Sequence, residues 1–366
     1  MVFVGERCYK LQRLMFLATG LWPYQKPGIC RLQAVFFFSS YCFNLLFQLT
    51  AFLTTTCNMD CILKRFTYIC VTSCFVLCYC SFYCNSEFIK QALKHMQLDW
   101  KMFENSDTIK IFEEYLFLSY VFALFAIMIV PTCASALMAI ECKPVILDAI
   151  IPLNTSRPRT IEVDYELFLD KEEYFFLYVM HEVLGTTIGF YSILVVATCC
   201  VLIVRHSCAT HKIARLMKDF MHAVNLWYFP LVVICILCLS CLLLRLYNAI
   251  TDTNDLHNTF VCCVLLYTCF MYMFITSFLV QSYSEHSILI LKSTYDTLWY
   301  VAPVPIQKLF LFMQTSIKAH MLVLGGLFVF SMEGFSTVKY CVHGSVHCKC
   351  FQTVNTAIDI ITFVNI

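Results

Sequence analysis

Six stretches of this chain, residues 32–59, 66–86, 115–140, 183–204, 223–244 and 256–284, contain no Asp, Glu, Lys or Arg. Each is long enough to cross a bilayer as a helix, which takes about 20 apolar residues. A seventh stretch, 319–338, is apolar apart from Glu333. Inside hydrocarbon every backbone N–H and C=O must be paired within its own segment, so a chain of this kind folds as a bundle of membrane helices. With 60% hydrophobic and 13% charged residues, it lies far from the quarter charged that is usual in soluble domains. The sequence predicts spans at about 34–56, 64–85, 115–140, 175–204, 226–247, 259–281 and 319–342 in one membrane domain covering residues 1–366. Between them lie a long loop at 141–173 and a region of mixed polarity at 284–318, and the tail runs from 339 to 366.

The net charge of +1, with no basic block and no interleaving of aromatic and basic residues, gives no support to nucleic-acid binding. Twenty-four cysteines suggest a disulfide framework until they are placed. Most, such as Cys70, Cys74, Cys78, Cys199, Cys200, Cys262 and Cys263, fall inside apolar runs, where they act as small packing residues. Cys57, Cys61 and Cys142 lie near span ends and are open to bridging, with the pairing undetermined. The cluster Cys341, His343, His347, Cys348 and Cys350 has no standard zinc spacing, and no metal or cofactor is expected.

Orientation follows the excess of Lys and Arg in short cytoplasmic loops. Before the first span stand Arg7, Lys10, Arg13, Lys26 and Arg31 against Glu6, and after the fourth stand Arg205, Lys212, Arg215 and Lys218. Both segments are cytoplasmic if the amino terminus is inside. The acidic loop 141–173, with the glycosylation acceptor Asn154-Thr155-Ser156, then lies outside, as does the carboxyl terminus after seven spans. The first run follows about 30 residues with nothing like a cleavage site, and reads as a retained span.

Several motifs fall on this frame. Residues 151–159 read Ile-Pro-Leu-Asn-Thr-Ser-Arg-Pro-Arg, and 166–175 read Glu-Leu-Phe-Leu-Asp-Lys-Glu-Glu-Tyr-Phe. Gln97-Leu98-Asp99-Trp100 follows the second span, and His206-Ser207-Cys208 with Lys212-Ile213-Ala214 follows the fourth. Leu239-Ser240 and Leu246-Tyr247 end the fifth. Towards the carboxyl end come Gln281, Ser284-Glu285-His286-Ser287, Tyr295, Trp299-Tyr300, Gln307-Lys308 and Ser331-Met332-Glu333-Gly334-Phe335. From about residue 20 to 338 these motifs resemble insect odorant receptors, particularly a large hymenopteran subfamily. The Ser-x-Glu-x-Phe form favours the odorant branch over the gustatory one. Asp-Arg-Tyr after the third span and Asn-Pro-x-x-Tyr in the seventh, the marks of G-protein-coupled receptors, are missing.

The resemblance implies a seven-helix subunit in the plasma membrane of an olfactory sensory neuron dendrite. It would form a hetero-tetramer with the shared odorant co-receptor, as a nonselective cation channel opened by small volatile odorants. Relatives hold the odorant in the outer halves of helices two, three, four and six, and line the pore with the seventh. A volatile, largely apolar ligand needs aromatic and aliphatic walls with one or two polar groups. Candidates are Phe75, Met128, Met138, Tyr178, His181, Thr186, Thr187, Phe190 and Tyr267. The competing reading has each packing against a neighbouring helix or lipid. His181 and Glu182 either line a cavity or protrude into water.

For the pore and gating helix the candidates are Gly325, Gly326, Ser331, Glu333 and Phe335, Glu333 being either a pore carboxylate or a helix-packing acid. The Gly325-Gly326 pair suits close helix approach or bending. Tyr295, Trp299 and Tyr300 are candidates for a subunit contact beneath the pore, in two short helices read between Ser284 and Ser316, with packing inside one subunit as the alternative. Phe88, Leu93, Met96 and Trp100 share one helical face and are read as a cytoplasmic continuation of the second span. From Lys339 the tail departs from the family pattern, through either an altered pore or a transcript read through a splice site. Two other classes are weighed: a seven-helix gustatory-type channel or G-protein-coupled receptor, and a transporter or enzyme, which would place several ionisable groups inside the spans. No enzymatic chemistry is expected.

Overall fold

The computed structural model describes residues 4–54, 58–103, 109–151, 157, 159, 161–210, 214–253, 256–296, 300, 303–305, 307, 308, 323, 324, 328 and 329. Its helices are α1 (Val4–Thr19), α2 (Pro27–Thr54), α3 (Met59–Cys84), α4 (Ser86–Phe103), α5 (Ile109–Glu141), α6 (Lys143–Ile150), α7 (Phe175–Thr210), α8 (Ala214–Asn248) and α9 (Leu256–Asp296). Six of them carry a segment long and apolar enough to cross a membrane: Pro27–Thr54, Met59–Cys84, Leu116–Glu141, Phe175–His206, Pro230–Thr251 and His257–Ser282. The first six expected spans fall on these six. The chain is a multi-pass membrane protein.

Local sequence explains the boundaries. Gly20 follows α1 with φ +72°, in the left-handed region, and a Cβ there would strike the Gln33 side chain. Pro27 opens α2, where its missing N–H costs no helical hydrogen bond. Pro131 in α5 and Pro230 in α8 lie inside helices, which membrane helices tolerate. A five-residue π-helical stretch, Ala249–Thr253, widens the chain after α8.

Two expectations are corrected. The amphipathic stretch after the second span is not its continuation: α3 ends at Asn85, which has φ −96° and ψ 24°, and α4 starts anew. Ile89, Leu93 and Met96 then face inward on α4. The segment from Ser284 does not begin a separate short helix either, because α9 runs unbroken for 41 residues to Asp296. At 1.5 Å per residue that is about 60 Å, twice the hydrocarbon thickness, so one end of α9 must project from the membrane. Most of the expected seventh span lies outside the described residues. Its four described positions are extended rather than helical, Val323 pairing with Val329 and Leu324 with Phe328. Gly325 and Gly326, which stand between them in sequence, disfavour helix by about 1 kcal/mol each.

The chain divides into two compact units. The first comprises Met1–Lys90 and Phe117–Cys199. Within it α2 and α3 pack side by side, and Tyr79 stacks on Phe37 at 5.2 Å while its hydroxyl donates to the Thr19 carbonyl at 2.9 Å. Gln12 and Tyr191 tie α1 to α7 through backbone carbonyls, and Tyr41 hydrogen-bonds Ser192. The second unit comprises Gln91–Leu116 and Cys200–Ile366. There α8 packs on α9, with Arg245 donating to Asn258 at 2.8 Å, and buried His206 at the end of α7 meets Asp99 of α4 at 3.4 Å.

Candidate functional site

The first unit gathers aromatic and polar side chains around the start of α7. Tyr178, His181, Glu182, Gly185 and Gly189 recur at helical spacing, so they share one face. Gly185 and Gly189 let neighbouring helices come close. A Cβ at Gly185 would lie 2.5 Å from Asn44 Oδ1 of α2, and one at Gly189 would fall into the Phe75 ring of α3. Phe75 also meets Phe190, ring centre to ring centre, at 5.9 Å. Beside them Gln48 and Thr72 hydrogen-bond across α2 and α3 at 3.1 Å.

The long loop closes this region. Val163 and Tyr165 are buried with Tyr178, and Phe47, Tyr68, Ile161 and Leu167 pack around them. The Glu166 amide donates to the Phe47 carbonyl at 3.1 Å. The Tyr178 hydroxyl accepts from the Leu167 amide at 3.3 Å and donates to the Leu169 carbonyl at 3.0 Å. Tyr165 donates to Asn44 at 3.3 Å, and its ring meets His181 edge to face at 4.7 Å. Burial pushes the Tyr165 phenol up, and the nearby Glu182 carboxylate acts in the same direction.

Ion pairs fasten the same loop to α3. Buried Arg65 reaches Asp164 at 3.2 Å and the Ala51 carbonyl at 2.6 Å. Lys64 reaches Glu162 at 3.5 Å, and Tyr68 donates to Glu162 at 2.8 Å. Glu141, at the end of α5, accepts from the Glu162 amide at 3.3 Å.

In the first half of α7 three buried polar atoms, His181 Nδ1, Glu182 Oε2 and Thr187 Oγ1, have no hydrogen-bond partner among the described residues. Buried polar atoms are almost always satisfied, so three within seven residues of one helix leave hydrogen-bonding capacity for a bound molecule or water. The surroundings are aromatic, with Phe47 and Tyr165 both edge-on to His181. The arrangement suits a small, mostly apolar ligand oriented by a few polar contacts.

Of the residues expected from sequence, Phe75, Tyr178, His181, Thr186, Thr187 and Phe190 lie on the two helices, α3 and α7, that build this region. Met138 packs from α5 against Phe175, Val179 and Val183. Met128 is 61% exposed and does not join the cluster, and Tyr267 is 65% exposed on α9 within the second unit. Tyr295 and Tyr300 are exposed. Trp299, Asn154, Gly325, Gly326, Ser331, Glu333 and Phe335 lie outside the described residues, as does the cysteine and histidine cluster of the tail. Cys61 is disulfide-bonded, whereas Cys142 is a free thiol.

Sequence reading passed over the Gly185-x-x-x-Gly189 pair, although small residues four apart are the known signal of close helix approach in membranes. It also passed over Arg65, Asp164, Glu141 and Glu162, whose pairing depends on a loop path that no periodicity reveals.

No protein-family model and no curated protein matches the chain. Solved structures do. The insect olfactory receptor OR5 from Machilis hrabei in complex with eugenol superposes with a TM-score of 0.70 at 12% identity, covering 98% of each chain. A second structure of OR5 from Machilis hrabei gives 0.68 at 12% identity, over 92% of this chain and 96% of that one. Over essentially its whole length, this chain has the fold of an insect olfactory receptor.

Proposed function

We propose that this chain is an odorant receptor subunit that binds small volatile ligands and, with a shared co-receptor, forms a ligand-gated nonselective cation channel. The observation that carries the reading is the full-length likeness to an olfactory receptor whose structure is a complex with eugenol, together with the aromatic region on α3 and α7 where three buried polar atoms lack partners. Ligand binds among Phe75, Met138, Tyr178, His181, Thr186, Thr187 and Phe190 in the outer half of the bundle. Glu333 and its neighbours belong to the pore helix, and Tyr295, Trp299 and Tyr300 join subunits beneath it. Binding opens the pore only to the extent that ligand prefers the open state.

The cytoplasmic amino terminus is supported by the basic leader, and an outer position for the start of α3, to which the loop is fastened by Arg65 and Lys64, by the disulfide at Cys61, since disulfides persist in oxidising compartments. The motifs shared with a hymenopteran subfamily, and the plasma membrane of a sensory dendrite as location, belong to the same reading. The test is co-expression with an odorant co-receptor in oocytes under voltage clamp. Inward current evoked by members of a broad odorant panel is the expected result. Silence from a subunit shown to be at the cell surface, or an amino-terminal tag accessible from outside, would overturn it.

A further inference from the structure

We propose that the buried carboxylate of Glu182 reads a ligand ammonium, so that the ligands of this site are small organic amines, charged at neutral pH. The inference rests on the reading of the α3 and α7 region as a ligand site and adds the class of ligand. Glu182 is 3% exposed; the Val163 amide donates to its carboxyl group, while its Oε2 has no partner among the described residues. The charged groups that face it are Glu141, Glu162 and Lys64, with His181 next in sequence. Lys64 reaches Glu162 at 3.5 Å, and Tyr68 donates to the same carboxylate. Glu141, itself 4% exposed, receives only the Glu162 amide among the hydrogen bonds of the described residues. Three carboxylates thus meet one ammonium, and the deepest of them ends in an oxygen with nothing to hold.

A carboxylate removed from water without a counter-cation is among the least favourable groups in a protein interior. Bound ammonium would complete the arrangement by holding the carboxyl group ionised. Among the described residues no group of three or more His, Cys, Asp or Glu could hold a metal ion, which argues against an inorganic cation. An ammonium brings donors that a single carboxylate oxygen can accept, in the short charge-assisted geometry that strengthens such bonds. The aromatic rings of Phe47, Tyr165 and Tyr178 nearby suit the organic part of an amine and offer faces to its charge.

The experiment compares 2-phenylethylamine with 2-phenylethanol, alike in shape and different in charge. The full-length chain in lipid nanodiscs is titrated with each, and binding is read from the shift in melting temperature. At neutral pH the amine should bind about tenfold more tightly, roughly what one charge-assisted bond contributes. Glu182→Gln should erase that preference, and Glu141→Gln should narrow it. Raising the pH until the amine is neutral should erase it in the unaltered chain, an arm that needs no variant to fold. A preference that survives Glu182→Gln overturns the proposal. Equal binding of amine and alcohol overturns the ligand class while leaving the receptor reading intact, and so does tighter binding of a ketone of the same shape, which would mark Glu182 as a neutral donor. Stabilisation by calcium chloride that Glu182→Gln abolishes would replace the amine with a metal ion. The channel experiment fails independently of all these, because it reads current and not binding.

Discussion

Helices α5 and α7 are almost equally apolar, yet the structure uses them in opposite ways. In its membrane-crossing segment α7 is 56% buried, and α5 only 11%. Helices in lipid gain little from hydrophobicity when they associate, because lipid tails are as apolar as leucine. What draws α7 into the first unit is its small and polar residues: Gly185 against Asn44, Gly189 against Phe75, and Ser192 against Tyr41. Helix α5 instead presents Phe117, Leu124, Phe125 and Met128 outward, large side chains suited to lipid. Apolarity puts both helices in the membrane, and small residues decide which one α2 and α3 pack against closely. The candidate site lies on α7 for that reason.

One large side chain placed on each helix tests the contrast between them most severely. Gly189→Leu drives its side chain into the Phe75 ring, and since that ring is itself buried, the loss should reach about 3 kcal/mol. Most of the protein should then fail to reach the cell surface. The same side chain at Ala136 on α5, an exposed position, should leave surface delivery unchanged. Gly185→Leu should fall between, because it meets the Asn44 amide, which can turn aside. Surface labelling of tagged variants reads all three, and equal losses from the two helices would sink the comparison.

A second contrast lies within the loop. Arg65 holds Asp164 from a buried position on α3, its side chain 7% exposed, whereas Arg157 holds Asp148 with 23% exposed. Losing one partner of a buried pair strands the other charge, and Asp164 is itself partly solvated. Arg65→Met should therefore destabilise by about 2 kcal/mol, and Arg157→Met by less than about 1 kcal/mol. Thermal melting of detergent-solubilised protein measures both. Limited proteolysis should cut the loop faster in the first variant than in the second.

Much of the fold is legible in the sequence, and the physical reason is uniform: a property carried by every residue of a segment survives local variation. Twenty uncharged residues specify a membrane helix whatever their order, so hydropathy alone suffices to place six spans. Aromatic and hydroxyl residues on α7 point to the helix that carries the candidate site, though not to their partners. Met128 shows the limit, since hydropathy cannot say which side of a lipid-crossing helix faces inward. The loop is opaque for a different reason. Arg65 and Asp164 stand 99 positions apart, and their pairing follows from the path of an irregular segment, 161–169, held by single hydrogen bonds that leave no period behind. In the expected seventh span, the Gly325-Gly326 pair suits close helix packing by its residue type, while the positions that flank it pair as strands.

A single hydroxyl gives a small and more specific effect. Tyr178 and Tyr174 both lie near the start of α7, but Tyr178 is buried and its hydroxyl bridges Leu167 and Leu169, while Tyr174 is 43% exposed. Tyr178→Phe keeps the ring in its cluster and removes only those two bonds, of which water can replace part, for a loss of about 1 kcal/mol. Amide hydrogens in a peptide covering 161–170 should then exchange about fivefold faster, because local opening of the loop becomes that much easier. Tyr174→Phe should leave the same amides unchanged. If the two variants accelerate exchange equally, the loop is held by the start of the helix as a whole, and α7 owes its central place to packing alone. If only Tyr178→Phe acts, a single buried hydroxyl couples the loop to the helix that carries His181 and Glu182, and ligands bound there should in turn slow exchange in 161–170.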